Sequence, residues 1–255
     1  MSIPRLFCPA PLAEGAEIAL TPAQAHHIGT VLRRGPGDAL LAFNAEQGEF
    51  AAELTALRRE RGAIRLGERR RAPRPEPDVS LILCALKREA MEWAVEKATE
   101  LGASRIRIAQ SRRCVSTISS IGRLEAIARG AAEQSERLSV PVIEAPQSLH
   151  AMLDAWAGGD LLVGAERRAV PPLHARLAEC VEPVAWLVGP EGGFDPRELD
   201  DLARRPFVSP CSLGPRILRA ETAAIAGLGA IVFALDARRA DMTRGMDMPA
   251  AREQR

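Results

Sequence analysis

The hydrophobic positions of this 255-residue chain change rhythm once, near residue 75. Before that point, short apolar segments at 39–43, 49–54 and 63–66 are separated by turns containing Gly and Asn, a pattern that predicts the strands of a small β-barrel. One helical segment, 22–33, interrupts them. After it, apolar runs alternate with amphipathic stretches: 79–85 then 89–101, 106–109 then 121–138, and 142–143 then 149–156. The series goes on through 161–163, 173–180, 184–188 and 196–204, a strand at 206–211, and a last helix at 220–235. That alternation predicts an α/β domain, a mostly parallel sheet covered by helices on both faces.

Three alternating prolines between Arg71 and Asp78 forbid helix and favour extended chain, so the domain boundary is placed there. The expected organisation is 1–72, 73–240 and a polar remainder. The stretch 236–255 lacks an apolar face and is expected to fray, with 241–255 as a flexible tail. In the first helix of the larger domain Met91, Val95, Ala98 and Leu101 recur at helical spacing, and Met91 and Trp93 are read as packing residues.

With 47% hydrophobic residues the chain can bury a full core. No apolar run approaches the roughly 18 residues of a membrane span, and the first eleven residues lack an export signal, so a cytoplasmic protein with no membrane partner is expected. Cys8, Cys84, Cys114, Cys180 and Cys211 are scattered and form no C-x-x-C pair, which argues against a disulfide framework or a metal site. Net charge is only +1, but residues 1–74 hold 11 Arg against 8 acids. Eight of those arginines crowd into 58–74, which suits either a phosphate-facing surface or a solvated Arg-rich hairpin.

Candidate chemistry concentrates in two loops. Trp186-Leu-Val-Gly-Pro-Glu-Gly-Gly-Phe-Asp-Pro-Arg-Glu198 reads as a buried strand, a glycine-rich turn and a helix start, with Asp195, Pro196 and Glu198 agreeing as a capping box. Gly189, Gly192 and Gly193 permit a sharp turn and a close ligand approach at the carboxyl end of a parallel strand, although a tight structural turn explains them as well. The phosphate-binding pattern G-x-x-x-x-G-K-[ST] is absent, and Glu191 would repel phosphates. Ser212-Leu-Gly-Pro-Arg-Ile-Leu-Arg-Ala-Glu-Thr-Ala-Ala224 repeats the arrangement, with Arg216, Arg219 and Glu221 among small apolar residues. A functional cluster and a structural ion pair both fit those charges.

Taken together with His27-Ile-Gly-Thr-Val-Leu-Arg33, Gly37-Asp38, Lys87, Met91-Glu92, Lys97-Ala-Thr-Glu-Leu-Gly102 and Glu133-Gln-Ser-Glu-Arg137, these two runs resemble the RsmE family of 16S rRNA uridine-N3 methyltransferases in the SPOUT superfamily. The resemblance extends over nearly the whole chain. It implies a PUA-like RNA-binding front domain and a catalytic domain whose C-terminal backbone forms a trefoil knot, a topology that general rules disfavour. It further implies a homodimer, 16S rRNA of the small subunit as partner, and S-adenosylmethionine in a cleft between knot loops. On that analogy the cofactor residues are Gly164, Leu187, Val188, Gly189, Glu191, Gly192, Gly193, Leu213, Gly214, Ile217, Leu218 and Thr222. Arg219 is the first catalytic candidate and Glu221 the second, as base or as orienter of Arg219. Arg5, His27, Arg33, Arg34, Lys87 and Arg113 are the RNA-contact candidates, and no metal is expected. His26 and His27 lie in the barrel domain and are read as RNA-contact or packing residues rather than bases. Two rivals stand beside this: a noncatalytic RNA-binding assembly factor, and a SPOUT enzyme acting on a ribose hydroxyl or on transfer RNA.

Overall fold

A computed structural model describes residues 3–246 apart from 119 and 167, and of 243–246 the backbone only. Its first elements are β1 (Arg5–Phe7), β2 (Glu17–Ala19), α1 (Pro22–His26), β3 (Ala39–Asn44), β4 (Gly48–Arg58) and β5 (Arg61–Arg71). Next come β6 (Val79–Cys84), α2 (Arg88–Glu100), β7 (Arg105–Gln110), α3 (Ile121–Gln134), β8 (Val142–Ile143), β9 (Gln147–Ser148) and α4 (Leu149–Asp154). The last are β10 (Asp160–Gly164), α5 (Leu173–Leu177), β11 (Val184–Val188), α6 (Pro196–Arg204), β12 (Val208–Cys211) and α7 (Ala220–Met246).

The chain divides into two compact units. One comprises Met1–Glu76 with Ala126–Val140, the other Pro77–Glu125 with Pro141–Arg255. In the first, five strands run in the order β1-β3-β4-β5-β2, antiparallel except for β1 beside β3. Leu40, Ala42, Leu54, Ile64 and Leu66 join Ile28 to form its core. The predicted helix 22–33 is in fact α1, capped by Thr21 and Gln24, continued by a π-helical turn His27–Val31, and closed by Arg33 in the left-handed region at φ 53. That Ala126–Val140 belongs to this unit is something no sequence periodicity signals.

In the second unit an all-parallel sheet runs β12-β10-β11-β6-β7-β8. Strands buried on both faces read as continuous apolar runs, as in Val79–Cys84 and Val184–Val188. One face packs under α4 and α6 through Ile82, Cys84, Leu149, Leu153, Leu187 and Leu202. Helices α2, α5 and α7 pack together and α7 lies on β6 and β11.

Trp186 of β11 sets how closely α7 approaches. Its buried indole donates to Ala223 O at 3.1 Å, and a Cβ on Gly227 would lie 2.2 Å from the ring. Only glycine fits at 227. A Cβ on Gly164 would stand 3.3 Å from the same ring.

Two expectations are corrected. Helix α7 does not stop at 235; it runs to Met246, with Arg238 donating to Cys180 O at 2.8 Å and Arg239 to Glu182 at 2.5 Å, so a polar stretch stays helical through its partners. The remainder of the expected tail, 247–255, lies outside the described residues. Also, Ala220–Met242 is long and apolar enough to cross a membrane by length and composition, contrary to the reading that no run approaches that length. That apolarity is spent partly on the core, where Ala224, Leu228, Ile231, Val232 and Leu235 are buried.

Candidate functional site

The glycine turn after β11 is built from the chain's own contacts. Its downstream end is the predicted cap: the Asp195 side chain accepts from Arg197 N, and Glu198 accepts from Asp195 N at 3.0 Å. The second Glu198 oxygen accepts the amide of Arg112, 2.8 Å away, from the loop after β7. Arg113 donates to Gly192 O at 3.2 Å and lies 3.6 Å from the Asp195 carboxylate. Lys87 N, where β6 gives way to α2, donates to Glu191 at 3.4 Å. The turn is thus braced by the segment joining β6 to α2, by the loop leaving β7, and by its own helix.

The three glycines have different reasons to be glycine. Gly193 has φ +67, and a Cβ there would lie 2.8 Å from the Glu166 carboxylate. Gly189 is buried, and a Cβ would press the Phe194 ring at 3.1 Å. Gly192 has ordinary φ, and a Cβ would meet Arg113 at an unstrained 3.7 Å. The fold explains Gly189 and Gly193; the surface at Gly192 is open to an approaching ligand.

Opposite the turn stands the second predicted loop. A cavity of about 820 Å³ is lined by Glu191 on one side and by 217–222 on the other, with Lys87, Glu89, Ala90 and Trp93 completing it. The predicted residues Glu191, Ile217, Leu218, Arg219, Glu221, Thr222 and Lys87 therefore meet in one place. Gly164, Leu187, Val188 and Gly189 lie in the strand ends and the start of the turn, and do not line the cavity; nor do Gly192, Gly193, Leu213 or Gly214. Ile217 is 62% exposed at the mouth of the cavity. Among the described residues neither the Arg219 nor the Glu221 side chain has a hydrogen-bond or ion-pair partner. A structural ion pair between them is not what the fold contains.

The expectation that Trp93 packs in the core is corrected. It is 43% exposed and lines the cavity, whereas Met91 is buried as expected. A signal existed: Trp93 lies off the stripe of Met91, Val95 and Ala98, close to acidic neighbours, where an indole has no core to join.

The RNA-contact candidates separate by location. Arg5 is corrected to a structural cation: with its side chain 7% exposed, it pairs with Glu49 at 2.6 Å, donates to Ala132 O, Glu133 O and Arg137 O, and lies over the Phe43 ring. Four of its five N–H donors are taken up inside the first unit, and the side chain is buried there. Arg113 serves the glycine turn. Lys87 lines the cavity. His27 and Arg33 are exposed on the π-helical turn and its exit, and Arg34 lies 4.0 Å from Asp38. In the Arg-rich hairpin, Arg58, Arg61, Arg65, Arg69 and Arg70 are exposed, while Arg71 donates to Glu136 O.

A family model for an RNA methyltransferase domain matches residues 73–232, and one for an RNA methyltransferase PUA domain matches 20–66. The chain is 32% identical to ribosomal RNA small subunit methyltransferase E of Rickettsia conorii, covering 91% of this chain and 96% of that one. It is 29% identical to the protein of the same name from Bacillus subtilis, over 90% and 95%. Among solved structures, ribosomal RNA small subunit methyltransferase E from Neisseria gonorrhoeae bound to S-adenosyl methionine superposes with a TM-score of 0.79 at 27% identity, covering 90% of this chain and 97% of that one. A Legionella pneumophila protein in complex with the cofactor SAM superposes at 0.80 with 28% identity, over 91% and 97%.

Proposed function

The chain belongs to the RsmE family of ribosomal RNA small subunit methyltransferases, and on that premise we propose that it moves a methyl group from S-adenosylmethionine to N3 of a uridine in 16S rRNA. One observation carries the reading: a cavity between two strand-end loops holds an arginine and a glutamate that the fold itself does not use. Unspent charges in a concave site are where substrate chemistry is expected.

The cavity suits the donor chemically. Its volume is that of a drug-sized ligand site, Gly192 leaves the neighbouring turn without a side chain, and Ile217 and Leu218 offer apolar surface while Glu191 can accept from a hydroxyl or amino group. Bound there, S-adenosylmethionine supplies an electrophilic methyl group on a cationic sulfur. Uridine N3 carries a proton roughly as acidic as a phenol's, so the protein must help remove it and hold the base in line with the methyl. Arg219 stabilises the negative charge that spreads over N3 and the uracil carbonyls as the proton leaves. Glu221, unpaired with Arg219, accepts the proton. Trp93 presents a flat face on which the base stacks.

The finer parts of the reading rest on family likeness plus local features. They are a trefoil-knotted backbone in the catalytic domain, a homodimer, a cytoplasmic enzyme of ribosome biogenesis, and RNA contacts at His27, Arg33, Arg34 and Lys87. Phe233 on α7 is exposed, an apolar side chain that a dimer contact would cover. The test is label transfer from S-adenosylmethionine to small subunits of a strain lacking the enzyme, with mass mapping of the RNA. Methyl at a single uridine N3 is expected. A folded protein that binds the donor yet methylates a ribose, a transfer RNA or nothing would overturn the assignment.

A further inference from the structure

A second cavity, of about 590 Å³, lies in the larger unit at the other end of the glycine turn. Its walls are the end of β7 with the loop after it at 110–112, the start of α4 with Ser148, and one face of α6 carrying Arg197, Glu198, Asp201 and Arg204.

The charges on these walls are unevenly committed. Each Glu198 oxygen already accepts a backbone amide, one from Arg112 and one from Asp195. Asp201 lies 3.5 Å from Arg204 and 3.4 Å from Arg205. Among the described residues the guanidinium groups of Arg112 and Arg197 have no hydrogen-bond or ion-pair partner, and both residues are exposed. Ser148 accepts the Ala151 amide at 3.1 Å, which leaves its hydroxyl proton for an acceptor in the cavity.

Arg197 also stands against its own helix. It is the second of nine residues in α6, and a helix N-terminus carries partial positive charge, so a cation in the first turn is destabilising there. Arg112 braces the glycine turn through its main-chain amide alone. The fold makes no use of either side-chain charge.

Two uncommitted guanidinium forks and a hydroxyl donor on one cavity suit a phosphate, which guanidinium meets through paired N–H···O bonds. The position suits a phosphate of RNA. Glu191 of the donor cavity and Arg197 are six residues apart, and six residues of fully extended chain span roughly 20 Å, so their α-carbons lie no farther apart than that. One RNA strand can reach both cavities within a few nucleotides.

We propose that the cavity walled by Arg112 and Arg197 holds a backbone phosphate of the RNA substrate, close to the nucleotide whose base enters the donor cavity. The identity of the ligand rests on the RNA methyl transfer proposed above. A phosphate held there fixes the register of the strand without touching the reacting atoms, so Arg112 and Arg197 are positioning residues.

The full-length protein is titrated with 16S rRNA from small subunits of a strain lacking the enzyme, at several salt concentrations, and assayed for methyl transfer to those subunits. Wild type is compared with Arg112→Gln, Arg197→Gln and the double variant. Each single change is expected to weaken RNA binding by roughly tenfold. The double change removes one phosphate contact and makes the slope of log affinity against log salt shallower by about 0.7 to 0.9, with KM for subunits rising and kcat changing far less. Melting temperatures should hold, and Arg197→Gln should raise its own slightly as α6 sheds a misplaced cation.

Wild-type RNA affinity and salt slope in the double variant would overturn the inference. So would inorganic phosphate bound by wild type and lost in the variants while RNA affinity holds, which makes the cavity a site for a free anion. Weaker binding to assembled subunits with 16S rRNA binding unaffected would put an acidic protein surface there and overturn it too. The functional reading fails separately: if the variants lose RNA affinity and slope while wild-type protein transfers no methyl to uridine N3, the phosphate site stands and the assignment of the reaction does not.

Discussion

The two loops that face each other across the cavity are built on opposite plans. The turn at 189–195 is held by contacts from three directions and has its aromatic residue, Phe194, in the core. The segment at 213–222 has exposed Ile217, exposed Gly214 in the left-handed region at φ +109 and, among the described residues, no partner for the side chains of Arg219 and Glu221. One rim is organised before any ligand arrives. The other offers groups whose partners must come from outside the chain. A preorganised wall fixes where a ligand sits, and unspent charge on the facing wall acts where charge develops during reaction.

That contrast can be broken most directly at Arg219. Arg219→Ala should lower the methylation rate constant by about 100- to 1000-fold and leave the melting temperature almost unchanged, because nothing in the fold depends on the guanidinium. A large loss of stability in a calorimeter would mean that this rim is structural after all. On the braced side the sign reverses: Gly193→Ala should cost roughly 1 to 2 kcal/mol in a urea melt, since its backbone is left-handed and a methyl would meet Glu166. Glu198→Ala should cost about 1 kcal/mol and weaken donor binding in titration calorimetry, with Glu198→Gln recovering most of both. If it weakened neither, the brace would be ornamental.

The smallest effect lies outside both loops and serves as their yardstick. Burial raises the Glu133 carboxyl above its ordinary 4.5 despite the Phe7 amide it accepts. A carboxyl raised on folding favours the folded state at pH below its unfolded value, and that contribution is lost as pH climbs through the folded one. Wild-type protein should therefore lose stability relative to Glu133→Gln as pH rises from about 4.5, read as a widening gap between their denaturation midpoints. A constant gap would show that Glu133 does not titrate across that window.

The braced rim is far more legible in the sequence than the chemistry of the open one. Asp195, Pro196 and Glu198 announce a helix start because capping is local, and the alternation of apolar runs announces a parallel sheet because strand burial on both faces leaves a continuous signature. Strands β1 and β2 escape notice because three residues are too few to show alternation. Arg5 looks like a surface cation because its partners Glu49, Ala132 and Arg137 are far along the chain. Trp93 is hidden by the habit of assigning every indole to a core. Helix α7 outruns its apolar stripe because Arg238 and Arg239 find acceptors near 180–182, which no periodicity encodes.

The indole of Trp186 carries an implication for how this protein can change. It fills the space that side chains at 164 and 227 would need, and its N–H anchors the first turn of the helix that begins directly after Arg219. Substituting any one of these three positions leaves either a collision or a void, whereas a coordinated exchange can restore the fit. Drift in the reactive loop is thereby tethered to a residue that no substrate ever meets.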